Sequence, residues 1–180
     1  EWLIKASPRL AFAAKGGNNG EPHNHNDVGE FIVAASGKQE LCDLGAGEYT
    51  RQYFSAERYS IFCNSSFGHS VPFFDGVPQG EGTEHYGKSS YENGVFTIDI
   101  TAAYDFPALD SAIRKFTVKD DKITLSDSFS LSSETEITER FITKIKPIVL
   151  EKAIELDKIR IIPQADWEIS ISTQQHSNHK

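Results

Sequence analysis

Apolar and polar positions alternate with a period of two along most of this chain, most plainly in its second half. Val95-Phe96-Thr97-Ile98-Asp99-Ile100 reads as a strand with one wet face. Residues 113–119 and 122–129 read as two strands flanking Asp120-Asp121, a hairpin turn. Residues 137–145, 148–150, 158–162 and 167–171 continue the series. In the first half, residues 9–15, 31–35, 40–44, 60–63 and 70–74 are strand candidates. Ser36-Gly37-Lys38 and Asp75-Gly76 have turn chemistry. Gly16-Gly17-Asn18-Asn19-Gly20-Glu21-Pro22 is a turn-forming loop, and residues 78–88 read as a second glycine-rich polar loop. The nearest approach to an amphipathic helix is residues 150–156, and it is short. Many short strands at regular spacing predict an all-β antiparallel sandwich or barrel. The polar tail, residues 174–180, is expected to fray.

Composition narrows the class. At 180 residues the chain is one domain, or part of a longer protein, and can bury a real core. It contains no methionine, even at position 1, and opens on Glu1-Trp2-Leu3-Ile4, which reads as mid-protein sequence. The expectation is a processed or excised piece, site-bearing over residues 9–86 and scaffold over 95–172. A net charge of −8 argues against nucleic acid as a partner, though not against an anionic sugar held in a local positive pocket. No stretch has the length and apolarity of a membrane-spanning helix. Cys42 and Cys63 lie in apolar runs outside any CxxC pair, so a cysteine zinc site is not expected; buried free thiols are the first reading and one disulfide the alternative. Trp2 and Trp167 are expected to pack in the core.

The chemistry concentrates in His23-Asn24-His25-Asn26-Asp27-Val28-Gly29-Glu30, just before the apolar run 31–35. In a period-2 structure the two histidines share one face, which suits a metal ligand beside a second working histidine. Asp43 closes a strand expected to pair with the one His25 leads into. His69 follows Gly68 in an irregular segment. His25, Asp43 and His69 offer an N, O, N set for zinc with an open position. Read singly, each is a surface histidine or a turn aspartate. Asp27 and Glu30 are either acceptors that orient the imidazoles or solvated acids. A rival pattern exists: Gly17, His23, His25, Glu30 and Gly37 fit the first metal motif of the cupins, with Glu30 as ligand. Pro78-Gln79-Gly80 begins the second cupin motif, but Thr83 stands where its histidine belongs and His85 is two residues late.

Together with two blocks downstream of it, the histidine stretch resembles the heparinase II/III-like polysaccharide lyases, whose signature is H-x-H-x-D-x-G-x-F. Cys42-Asp43-Leu44-Gly45-Ala46-Gly47-Glu48-Tyr49 resembles that family's next block, an aspartate followed by G-x-G-x-Y. Arg58-Tyr59-Ser60 with Asn64-Ser65-Ser66-Phe67-Gly68-His69-Ser70-Val71 resembles the third, and Asp75-Gly76 matches the turn after it. Order and approximate spacing agree over residues 23–76. The resemblance implies a supersandwich-like domain in which His25, Asp43 and His69 hold zinc and His23 faces the substrate cleft, with Tyr49, Arg58 and Asn64 as weaker cleft candidates. It implies a lyase acting on an acidic polysaccharide by β-elimination, with an N-terminal helical toroid in the parent chain supplying the rest of the site, and a periplasmic or secreted location. The isolated domain is then expected to be inactive, and a homodimer is open. The alternatives are a cupin-type metal-binding domain and a non-catalytic carbohydrate-binding sandwich with exposed aromatics on one face.

Overall fold

A computed structural model describes residues 1–177. The architecture is all-β. Two antiparallel sheets face each other. The first has the order β1 (Trp2–Ala6), β2 (Leu10–Lys15), β4 (Phe31–Ala35) and β5 (Lys38–Leu41). The second runs β10 (Lys122–Leu131), β9 (Leu109–Lys119), β8 (Val95–Asp99), β7 (Gly82–Glu92) and β3 (Gly17–Asn19). Two small sheets flank them: β11 (Ile137–Glu139) with β6 (Pro72–Phe74), and β12 (Ile148–Leu150), β13 (Ala153–Glu155) and β14 (Arg160–Ile161). Among the described residues the only helical pieces are short 3-10 turns, and no helix is long and apolar enough to cross a membrane.

The alternation places the core. Leu10, Phe12 and Ala14 of β2 and Phe31, Val33 and Ala35 of β4 point inward from the first sheet. Phe96 and Ile98 of β8 and Ala112 and Phe116 of β9 answer from the second. The Phe116 ring lies 5.3 Å from both Phe12 and Phe31, so one aromatic cluster joins the layers. The β4–β5 turn uses Ser36 and Gly37 at φ 51° and 79°, the left-handed pair that matches strand twist.

Several boundaries differ from the sequence pattern. Residues 82–88, read as loop, belong to the long strand β7, whose polar side chains other than the buried His85 mostly face water. Residues 60–63 are not strand: Ser60 ends the 3-10 turn Ala56–Ser60, and 61–63 continue as bend and turn. Residues 137–145 shorten to β11, and 167–171 form no strand. Residues 150–156, the nearest approach to a helix in the sequence, form a turn and β13. Trp2 and Trp167 are 54% and 45% exposed, so neither packs in the core. Both cysteines are free and buried, and burial raises both thiols above their ordinary range. The tail lacks regular structure through residue 177, and His179 lies outside the described residues.

Candidate metal centre

Three segments build the centre. The first leaves β2 at Lys15, crosses to the second sheet as β3, and returns to β4 at Phe31. Its base is closed by Lys15 N–H donating to Glu30 O (3.0 Å) and Gly29 N–H donating to Lys15 O (2.8 Å). This is a compact Ω-type loop. Gln79 fills it: its Oε1 accepts from Asn19 Nδ2 (3.1 Å) and Val28 N (3.0 Å), and its Nε2 donates to Val28 O (2.6 Å). Gln79 N–H also donates to Ser66 Oγ (3.1 Å), tying this loop to the segment that carries His69.

The loop does not display its histidines on one face. His23 sits in a turn at φ 61°, exposed, whereas His25 points inward. Asn24 between them is buried; its Oδ1 accepts from Tyr59 O–H (2.7 Å), its Nδ2 donates to Asn19 O, and its carbonyl accepts from Arg58 Nη2 (2.7 Å). An anchored Asn24 turns its two neighbours apart, so the period-2 expectation fails in a turn rather than a strand.

Asp43, two residues past β5, accepts from Gly45 N–H through Oδ1, leaving Oδ2 free to face His69 Nδ1 at 3.9 Å. His69 follows the 3-10 turn Ser66–Gly68 and is fully buried. Its Nε2 lies 2.9 Å from the Cys63 carbonyl. A carbonyl only accepts, so Nε2 carries the proton, and Nδ1 is the atom turned toward the carboxylates. Glu30 Oε2 stands 2.9 Å from that Nδ1.

The described residues contain two overlapping ligand groups: His25, Asp43 and His69, and Asp27, Glu30, Asp43 and His69, the donor atoms of each lying within 4.8 Å of one another. This buried cluster can hold a metal ion. Glu30 Oε1 is buried without a hydrogen-bond partner, a costly arrangement that a cation would relieve. Of the three carboxylates only Asp27 is paired with an ammonium, that of Lys15, whose Nζ lies 2.5 Å from its Oδ1.

Burial and mutual charge shift three of these groups. Burial, with His69 beside it, lowers His25 to about 4. Burial raises Glu30 to about 7. Burial alone would lower His69, but the adjacent Glu30 charge and contact outweigh it and raise it to about 9. An imidazolium has no lone pair for a metal, so cation binding must expel that proton. In chelator, the raised His69 contributes stability that is fully present below 6.5 and is lost as pH rises through about 9. Glu30, raised from 4.5 to about 7, acts in the same direction. The lowered His25 opposes them only on the acid side, between about 4 and 6.5. The expected result is a urea midpoint that falls between pH 6.5 and 9; a flat or rising profile would contradict the pairing.

The remaining candidates divide. Arg58 is half-buried, its guanidinium 5.5 Å over Tyr53 and 5.1 Å over Tyr59, and it helps lower His25. Tyr49 is exposed and packs against Tyr53 and Phe54, centroids 5.0 and 5.3 Å away. Asn64 is fully buried; its Nδ2 donates to Arg58 O (3.1 Å) and its carbonyl accepts from Asn26 N–H (2.9 Å). It therefore braces the ligand loop from inside and presents nothing to a cleft. His85, on β7, lies 3.0 Å from Asp105 Oδ2 and outside both ligand groups. The groups also exclude His23, so the cupin donor set of His23, His25 and Glu30 is not assembled.

The residue that sequence reasoning passed over is Arg114. It occupies an inward position of β9 between Ala112 and Phe116 and is fully buried. Nε and Nη2 donate to Asp127 (3.0 and 2.9 Å), Nη2 also to Glu139 (3.1 Å), and Nη1 to the carbonyls of Gly29 (3.0 Å) and Ser70 (2.9 Å). Gly29 precedes Glu30 and Ser70 follows His69, so one guanidinium clamps the two loops whose side chains meet. Asp127 is its direct cross-strand partner. An acid and a base paired in inward register on adjacent strands was the available signal.

No protein-family model matches the chain, and no curated protein matches it.

Proposed function

We propose that this chain is the β-sandwich domain of a polysaccharide lyase that cleaves an acidic, uronate-containing polysaccharide by β-elimination. The observation that carries this reading is the convergence of His25, Asp43 and His69, from three separate segments, on one buried point, with His23 left outside at the surface. The order of the three sequence blocks that resemble the heparinase II/III-like lyases supports it. Zinc is the cation favoured by two imidazoles and a carboxylate. When bound, it would hold the His23 loop in place rather than deliver a nucleophile.

Elimination needs the uronate carboxylate neutralised, the C5 proton removed and the leaving oxygen protonated. His23, exposed beside the centre, is the residue for proton transfer. Arg58, held between Tyr53 and Tyr59, offers a cation near the same mouth. A helical toroid in the parent chain would close the cleft and complete the catalytic set. The resemblance further places such a protein in the periplasm or outside the cell, and a dimer fits this reading as well as a monomer does.

Exposed Tyr49 and Phe54 favour one second reading, a carbohydrate-binding sandwich without catalysis. One experiment separates them. Elemental analysis of the purified chain is expected to find zinc. Within the longer protein, His23→Ala should lower formation of unsaturated uronate, followed by ultraviolet absorbance, about 100-fold. Zinc content should not change. Sugar binding without any unsaturated product from the wild type would overturn the lyase reading.

A further inference from the structure

We propose that the centre contains a second, deeper cation seat, formed by Asp27, Glu30, Asp43 and His69, which takes a hard divalent ion of the manganese type in place of zinc. The proposal rests on the reading of this cluster as a cation centre and adds a second position within it.

The two ligand groups share Asp43 and His69 but differ in everything else. The outer group adds His25, a half-buried imidazole. The inner group adds Asp27 and Glu30, both buried carboxylates. Imidazole-rich donors suit zinc, while carboxylate-rich donors suit manganese, calcium and magnesium. The inner group is one nitrogen and three carboxylates, and a mixed set of that kind fits manganese.

The inner seat is more than a cluster of acids. Glu30 Oε1 is buried and bonded to nothing, while its Oε2 lies 2.9 Å from His69 Nδ1. Asp27 is fixed by Lys15 through Oδ1 alone. The loops that carry Glu30 and His69 are held by Arg114 through the neighbouring carbonyls, so the scaffold fixes where these two side chains meet.

The two seats exclude one another. His69 Nε2 is committed to the Cys63 carbonyl, leaving Nδ1 as its only ligand atom, and Nδ1 has one lone pair. The centre therefore holds one ion at a time, and the metal present chooses between His25 and the pair Asp27 and Glu30.

The test uses the whole chain loaded with Mn(II) alone, with Zn(II) alone, or with both. Electron spin-echo spectroscopy of the manganese form counts coordinated imidazole nitrogens. One nitrogen, from His69, is expected; two would place manganese on His25 as well and overturn the proposal. Titrated zinc should release manganese one for one; simultaneous retention of both ions would overturn the exclusion. Glu30→Gln should weaken manganese at least about tenfold and leave zinc unchanged, with His25→Ala doing the reverse. Equal losses of both metals in both variants would mean a single seat. Circular dichroism confirms that each variant is folded, and the nitrogen count on the wild type needs no variant. Zinc retention without manganese binding would overturn the inner seat alone, whereas a wild type that retains neither ion would overturn the centre itself.

Discussion

Arg114→Met is expected to lower the stability of the chain by about 3–5 kcal/mol, the range for breaking a buried ion pair by removing one partner. The side chain lost is fully buried and makes five hydrogen bonds, two of them to loop carbonyls and three to carboxylates. Methionine replaces the volume but none of the donors, so Asp127 and Glu139 are left as unpaired acids inside the sandwich. Burial already raises Glu139 to about 8 against the opposing pull of Arg114. Without the guanidinium it stays protonated further into the alkaline range. Urea denaturation measures the loss, and adding Asp127→Asn in a double-mutant cycle should recover part of it. Loss below about 1 kcal/mol, the scale of an exposed pair, would show that the clamp carries little.

The second large effect concerns the ion itself. In the wild type, zinc at about a hundred times its dissociation constant should stabilise the fold by about 2.7 kcal/mol. His69→Ala should abolish that increment, because both ligand groups contain His69 and its Nδ1 faces Glu30 and Asp43. Asp43→Ala should do the same. Thermal melts with and without zinc, alongside elemental analysis of each variant, supply the measurement. A zinc-dependent rise that survives in His69→Ala would place the ion elsewhere.

The strands were legible where one face of the sheet is wet. Residues 95–100 and the hairpin around Asp120-Asp121 could be read from alternation alone, because half-buried antiparallel strands impose it. Residues 82–88 could not. β7 has few apolar side chains and is kept in the sheet by its neighbours β8 and β3. The three residues that meet at the centre were legible because each stands beside a glycine-rich break that a strand pattern leaves unexplained. The divergence of His23 from His25 was not, since it depends on Asn24 meeting Tyr59, 35 residues away. Arg114 escaped notice for a different reason. Arg114 shares the inward face with Ala112 and Phe116, but beside Lys115 its charge reads as a polar break in the strand, and only its partner on β10 shows how it is held inside.

The ligand loop leaves the first sheet at Lys15, is stitched to the second through β3 and β7, and rejoins the first at Phe31. It therefore spans the gap between the layers instead of hanging from one of them. Any sliding of one layer over the other would act on this span as a lever, altering the bite offered to an ion. Core substitutions far from the histidines, such as those around Phe116, would be felt there as a change in grip before the fold itself gave way.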